Sequence, residues 1–272
     1  MKKVIFISAG PGDPDLITVK AINHLKKSEI VLVDRLVSPE IVNEYLHPKR
    51  KILYVGKNND SIMHKEKYFF KNNQKSINHL MVYHALKGKY VVRLKGGDVS
   101  IFSNIMDELI ELNKYHIPYE IIPGVTAALG AAAYTGIPLT ARGYASSVRF
   151  VTLHNPNSID SNQWEEFLTT KDTLVFYMCI KKLYYIIDKF MILIKKKESC
   201  YSNKLIAIIE QATTPMQKVY TTTLYNCKKY LIERNFLSPS LVIIGKIVNL
   251  YKCFKWNSSS SSIFCKRNYF MY

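Results

Sequence analysis

No stretch of this sequence is both long and free of charge. The longest apolar run, around Tyr184 to Ile194, is interrupted by Asp188 and Lys189, and nothing approaches the roughly 20 uncharged residues that a bilayer-spanning helix needs. A soluble protein with no membrane role is expected. The apolar residues after Met1-Lys2-Lys3 soon meet Gly10 and Asp13, too short a run for a secretory signal, and they read as a buried first strand. Cysteine is present as five scattered residues, Cys179, Cys200, Cys227, Cys253 and Cys265, an odd number with no C-x-x-C pair. That pattern indicates neither a zinc site nor a disulfide framework, and it fits a reducing cytoplasm. A G-x-G-x-x-G fingerprint is also missing, as is any basic-aromatic cluster or recognition helix of the kind that reads nucleic acid.

Acidic residues are scarce as well. Asp and Glu number 21 against 38 Lys and Arg, leaving a formal charge of +17. Such an excess suits a nucleic-acid binder, a membrane-surface protein or an enzyme for acidic substrates. Composition does not choose between them, because the lysines are scattered among Asn, Ile and Tyr as a biased genome would scatter them. At 272 residues, 48% of them apolar, the chain has room for one large or two modest domains.

Short β-rich runs alternate with helical patterns from the N-terminus: Val4 to Ser8 then Leu16 to Lys26, Ile30 to Asp34 then Pro39 to Leu46, Lys51 to Val55 then Ser76 to Leu86, Tyr90 to Leu94 then Phe102 to Tyr115. This alternation predicts a parallel α/β sheet. A further strand is predicted at Tyr119 to Ile122, with a domain boundary near it: 1–118 as an N-terminal parallel α/β domain and 119–250 as a mixed-sheet α/β domain. The second half shows strand-like runs at Val148 to Leu153, Thr173 to Met178, Leu205 to Ile209, Lys218 to Thr223 and Leu241 to Ile244, with fewer helices between them. Residues 251–272, with their serine run at Ser258 to Ser262, read as a low-complexity, disordered and dispensable tail. Asn58 to Asn73 read as a long mobile loop beside Lys57.

Two turns stand where strands end. Ser8-Ala9-Gly10-Pro11-Gly12-Asp13-Pro14-Asp15 follows the first strand and precedes a helix, and its glycines permit close backbone approach where open α/β sheets bind ligands. A plain structural turn accounts for the same residues. Arg93-Leu94-Lys95-Gly96-Gly97-Asp98 can bring main-chain groups and one carboxylate up to a cationic ligand, although Gly-Gly-Asp turns are also common connectors.

With these segments the chain closely resembles the tetrapyrrole (class III) S-adenosylmethionine (SAM) methyltransferases. The resemblance rests on "AGPGDPDLIT" (9–18), "DRLVS" (34–38), "VGK" (55–57), "VVRLKGGD" (91–98), "IPGVTAA" (122–128), "AAYTGIPLTARGYASSVRFVT" (132–152), "TLVFYM" (173–178) and "SPSLVIIG" (238–245), which fall in family order. It implies two α/β domains with the active site in the cleft between them, and a homodimer. It further implies a SAM site built from Pro11, Gly96, Gly97, Asp98, Ile101, Thr126, Ala127, Met178 and Ala212, with S-adenosylhomocysteine as product. Asp34 matches the position assigned as proton acceptor and Lys57 that of the proton donor; on their own they would read as a turn residue and a surface lysine.

The activity implied is SAM-dependent C-methylation of uroporphyrinogen III at C2 and C7 to precorrin-2, on the route to sirohaem or cobalamin. Because that small-molecule substrate is a polycarboxylate, Arg35, Arg93, Arg142, Arg149 and Tyr144 are its expected contacts; the bland alternative for the arginines is ordinary surface ion pairing. No metal and no nucleic acid is called for. Other readings are a family member acting on a corrin precursor, a modified histidine or ribosomal RNA, and a homologue of reduced activity. The sequence departs from the family after Asp98, where Pro-Phe-x-Phe-Gly-Arg-Gly-Gly-Glu-Glu is replaced by Val99-Ser100-Ile101-Phe102-Ser103-Asn104-Ile105-Met106-Asp107-Glu108. Thr140-Ala141-Arg142, Tyr177-Met178-Cys179 and Glu210-Gln211-Ala212 replace Thr-His-Arg, Tyr-Met-Gly and Glu-Asn-Gly, so any φ > 0 conformation at Cys179 or Ala212 would be strained.

Overall fold

A computed structural model of the chain describes residues 3–47, 49–55, 74–153, 155–196 and 200–256. Lys57, the loop 58–73 and the serine run lie outside them. The chain divides into two compact units, the first running through Ala127 and the second beginning at Ala128.

In the first unit, β1 (Val4–Ser8), α1 (Val19–Leu25), β2 (Ile30–Asp34), α2 (Pro39–Tyr45), β3 (Lys51–Val55), α3 (Gln74–Leu86), β4 (Val91–Lys95), α4 (Ile105–Lys114) and β5 (Tyr119–Ile122) follow in order. The strands form one parallel sheet in the order β3-β2-β4-β1-β5. β1 and β4 are buried along their whole length, which is why β1 reads as a continuous apolar run rather than as an alternating pattern. Ile5, Ile7, Val31, Val33, Val92 and Leu94 pack on one face; Val4, Phe6, Ile30, Leu32 and Val91 pack on the other, against Ile77, Met81 and Leu112. Thr18 starts α1 by accepting a bond from Ala21 N (3.2 Å), and Pro39 starts α2 with its φ already set.

β5 pairs with β1, Val4 opposite Tyr119 through Ile7 opposite Ile122. It therefore belongs to the first sheet, and a boundary after residue 118 would cut through that sheet. α4 begins at Ile105 rather than at Phe102, because Phe102 (φ 51°) and Asn104 (φ 54°) are left-handed and cannot be helical.

The second unit contains α5 (Ala127–Thr135), β6 (Val148–Thr152), α6 (Ser161–Thr169), β7 (Thr173–Tyr177), α7 (Leu183–Lys196), β8 (Leu205–Glu210), β9 (Lys218–Thr223), α8 (Leu224–Glu233), β10 (Ser240–Ile244) and α9 (Tyr251–Phe254). Its sheet, ordered β6-β7-β10-β8-β9, is mixed: β6 and β7 are parallel and the remaining pairs antiparallel. The second half is not poor in helices. In α7 the stripe Leu183, Ile186, Ile187, Phe190 and Ile194 is buried, but Asp188, Lys189, Lys195 and Lys196 on the outer face hide its period in the sequence. That stripe packs with Trp164, Phe167, Leu174, Phe176 and Val242 in an aromatic-rich core, where Trp164 meets Phe190 edge-on at 5.5 Å and Phe167 meets Phe176 at 5.7 Å.

The first residues of the expected tail are ordered. Trp256 donates Nε1–H to Ala133 O (2.7 Å) and packs edge-on against Tyr134 (5.7 Å). Gly136, at φ 68°, lies where a Cβ would meet Phe254 O at 2.1 Å, so this segment requires glycine there. Residues 257–272 lie outside the described set. Among the described residues no helix is long and apolar enough to cross a membrane.

Candidate functional site

The loops that follow β1, β2, β4 and β5 leave the carboxyl edge of the first sheet, the usual ligand-binding edge of open α/β sheets. Gly10 and Gly97 exchange backbone bonds, Gly10 N to Gly97 O at 3.1 Å and Gly97 N to Gly10 O at 2.7 Å. Gly96 lets the loop after β2 press against this turn, because a Cβ on it would stand 2.6 Å from Leu36 O. Gly97, at φ 66°, faces Thr126 and Ala127, with ideal Cβ distances of 4.0 and 3.7 Å. Gly124 fits over Ser8 only because it has no side chain. Pro11 follows Gly10 directly, and Ile101 N closes the turn on Asp98 O (3.2 Å).

Asp98 ties these loops together. Its Oδ2 accepts from Gly124 N (2.9 Å) and its Oδ1 from Ser100 N (2.8 Å) and from the Ser100 hydroxyl. Ser8 Oγ accepts from the adjoining Val99 N (3.0 Å). Burial alone would push the Asp98 carboxyl up, but the donors from Ser100, Gly124 and Ser8 outweigh it and hold the acid below its ordinary value. All of those donors are neutral. Among the described residues no cation pairs with Asp98.

Beside this turn lies a chain of buried charges. Glu108, with 0% exposure, accepts from Arg93 Nε (2.7 Å) and from Lys95 Nζ (2.8 Å). Arg93 Nη1 donates to Leu32 O (3.3 Å) and Leu94 O (3.4 Å), and Nη2 donates to Asp34 Oδ2 (3.1 Å). Asp34 Oδ1 accepts from Leu36 N (3.2 Å). Burial, then the neighbouring Arg93 charge, push the Lys95 ammonium below its ordinary value, while Glu108 works the other way. Expected to contact substrate, Arg93 is instead buried at 2% exposure, turned inward by β4 on the same face as Val91 and engaged by Glu108 and Asp34. Arg35, next to Asp34, is exposed.

In the second unit β7 and β8 both run antiparallel to the β10 strand between them, so Met178 and Ala212, just beyond their ends, emerge at one edge of the sheet. Positive φ falls on Met178 (53°), Gln211 (46°) and Thr213 (67°). Cys179 has φ −102° and is buried, its thiol pushed up to about 12 by burial; the strain expected at Cys179 and Ala212 sits on their neighbours. Gln217 holds the Ala212 turn, accepting from Thr213 N (2.8 Å) and donating to Tyr134 O (3.3 Å). The Tyr177 hydroxyl accepts from Ala128 N (3.0 Å) in the first turn of α5.

Arg142 and Tyr144 line an open cavity of about 670 Å³ formed by residues 140–146 with Lys171 and Asp172. Lys246 Nζ stands 5.1 Å from the Tyr144 ring centre and donates to Gly143 O (3.1 Å). Arg149 lies beside this cavity rather than in its wall. Its guanidinium is paired with Glu166 and with Asp172 (2.5 Å).

The family profile described as Tetrapyrrole (Corrin/Porphyrin) Methylases matches residues 3–228. The chain belongs to this family. It is 39% identical over 260 residues to the uroporphyrinogen-III C-methyltransferase of Bacillus subtilis, covering 95% of this chain and 96% of that protein. Identity to the siroheme synthase of Pseudomonas fluorescens is also 39%, over 96% of this chain but 53% of that protein. The chain thus spans about half the length of the curated siroheme synthases it matches. Among solved structures it resembles the uroporphyrin-III C-methyl transferase of Thermus thermophilus complexed with S-adenyl homocysteine, with a TM-score of 0.73 and 29% identity over 91% of this chain and 99% of that one.

Within this tetrapyrrole methylase the divergent segment 99–108 still begins a helix, without a side-chain cap. Asn104 stands left-handed before Ile105 and bonds Asp107 Oδ2 through Nδ2 (2.7 Å). Sequence reading missed Ser8, Lys95, Glu108, Tyr177 and Gln217. For Glu108 a signal existed: Ile105, Glu108, Leu109 and Leu112 share one helical face, so a carboxylate stands in an apolar stripe.

Proposed function

We propose that this chain is a SAM-dependent C-methyltransferase that converts uroporphyrinogen III to precorrin-2 by methylation at C2 and C7, as a homodimer in a reducing cytoplasm. The observation that carries the reading is the end-to-end match with the Bacillus subtilis enzyme, in which 96% of that protein is aligned at 39% identity. The site supports it chemically. SAM is a cation at its sulfonium and ammonium, and the Asp98 turn offers an anion balanced only by neutral donors. Pro11, Gly96, Gly97, Asp98, Ile101, Thr126, Ala127, Met178 and Ala212 are the residues assigned to the cofactor.

When bound, SAM supplies an electrophilic sulfonium methyl group. The pyrrole carbon is already made nucleophilic by its nitrogen, so the residues chiefly orient the reactants and exclude water. Asp34, whose carboxylate is part-exposed at the end of β2, accepts the proton lost from the macrocycle, a contribution typically of about 10² to 10⁴-fold. Lys57 is assigned the matching proton donation. Arg35, Arg142 and Tyr144 bind the carboxylates of the substrate.

Purified protein incubated with SAM and uroporphyrinogen III should develop the precorrin-2 chromophore. The tetrapyrrole KM should rise steeply with salt while that for SAM changes little. Measurable SAM binding with no chromophore would refute uroporphyrinogen III as the substrate.

A further inference from the structure

Arg93 and Lys95 alternate with Val91 on the face of β4 that meets α4, and Glu108 rises from α4 between them. The lower part of that interface is apolar, with Val91 packed among Met81, Leu112 and Ile117. At its upper end four charges alternate in sign: Lys95, Glu108, Arg93, Asp34. Side-chain exposure along that chain is 6%, 0%, 2% and 29%, so it runs from the interior to the one member within reach of a ligand. The three buried members carry one excess positive charge, and Asp34 balances it.

Each link restricts the next. Lys95 holds one oxygen of Glu108, so that carboxylate cannot rotate away from Arg93. Glu108 grips Arg93 through Nε, while Leu32 O and Leu94 O engage Nη1. The planar guanidinium then has only Nη2 to present, and it presents it to Asp34. The second Asp34 oxygen is held by Leu36 N. Glu108 neutralises buried charge, and the same contacts fix the direction in which Arg93 meets the part-exposed Asp34.

We propose that Glu108 is a positioning residue which, through Arg93, fixes the Asp34 carboxylate in its reactive orientation. The inference rests on the reading of Asp34 as the proton acceptor. Displacement of a catalytic group by about 1 Å can cost about 10²-fold in rate, so loss of the Glu108 charge, with the shape kept, acts on turnover.

The test compares full-length wild type, Glu108→Gln, Asp34→Asn and the double variant with SAM and uroporphyrinogen III. Glu108→Gln is expected to lower kcat about tenfold or more, with the KM for SAM within about twofold, and to add no further loss once Asp34 is Asn. Arg93→Lys keeps a cation beside Glu108 but cannot span both carboxylates; it should behave in the same way, and it decides the matter if Glu108→Gln does not fold. Losses that multiply in the double variant, or an Arg93→Lys enzyme with wild-type kcat, would overturn the positioning role while leaving the proton acceptor intact. Full turnover by Asp34→Asn is the separate result that removes the acceptor reading itself, and the positioning role with it.

Discussion

The two units present candidate site residues at the edges of their sheets by different physical means. In the first, the edge is set by close backbone approach and buried charge: Gly96, Gly97 and Gly124 admit neighbouring loops where any side chain would collide or strain, and Glu108 joins Arg93 and Lys95 beneath them. In the second, Met178, Gln211 and Thr213 take left-handed backbone with full side chains attached, above a core of interlocking aromatic rings. A glycine turn costs little in the folded state but depends on what touches it. A left-handed non-glycine residue costs roughly 1–2 kcal/mol and persists because the surrounding packing overrides it. The first edge should therefore be sensitive to added atoms and lost charges, and the second to lost packing.

The largest effects break each support in turn. Glu108→Leu leaves buried Lys95 without a carboxylate and Arg93 with Asp34 alone, and is expected to cost about 3–5 kcal/mol in urea unfolding. Replacing Arg93, Glu108 and Lys95 together with apolar residues of similar volume should recover most of that stability while activity stays lost. Phe176→Ala in the second unit should cost a similar ~3–5 kcal/mol through the cavity it opens, without any such charge-based rescue. If the triple replacement were as unstable as Glu108→Leu, charge burial would not be the support of the first edge.

A smaller contrast comes from the turns. Gly97→Ala, forced into φ 66°, should lose roughly 1–2 kcal/mol, whereas Thr213→Gly relieves φ 67° and should be neutral or gain up to about 1 kcal/mol. Chemical denaturation of the two variants reads both signs, and a destabilised Thr213→Gly would mean that its side-chain contacts outweigh the backbone strain. Trp256→Ala, which removes one hydrogen bond and one ring contact from α5, should cost about 1 kcal/mol. An unchanged melting temperature would restore the view of residues 251–256 as dispensable.

Much of the frame was legible because local rules and tertiary context agree. Four of the five β runs of the first sheet open on apolar or aromatic residues, and Thr18 and Pro39 mark helix starts that the fold uses. Where sequence reading went astray, a side chain had been judged by its type rather than by its direction. Arg93 read as a substrate contact because arginine pairs with carboxylates, yet the alternation along β4 aims it inward at Glu108. Nor did the type of Asp98 tell that its oxygens staple the loops after β4 and β5. The substitutions for glycine at Cys179 and Ala212 located the unusual turns without telling which residue in each takes positive φ, since that depends on packing such as the Gln217 bond to Thr213 N.

The smallest expected effect is one of pH, and it separates the two units again. Asp98 is held below its ordinary value of 3.8 by neutral donors, against the opposing effect of burial. Asp172 is held below the same value first by the Ser147 hydroxyl and then by Arg149. A carboxyl lowered on folding contributes stability that is fully present above the unfolded value and is lost as pH falls through the folded one. Both therefore steepen acid unfolding below pH 3.8, and Asp98→Asn should flatten that limb. Salt should distinguish them: the Arg149 share at Asp172 is a part-exposed ion pair and is screened, while the Asp98 share comes from half-buried neutral donors and is not. Acid titrations of wild type and Asp98→Asn at low and high salt test this. If the difference between the two proteins shrank as salt was raised, a cation would have to be acting on Asp98, and the charge there would no longer be free for a cationic ligand.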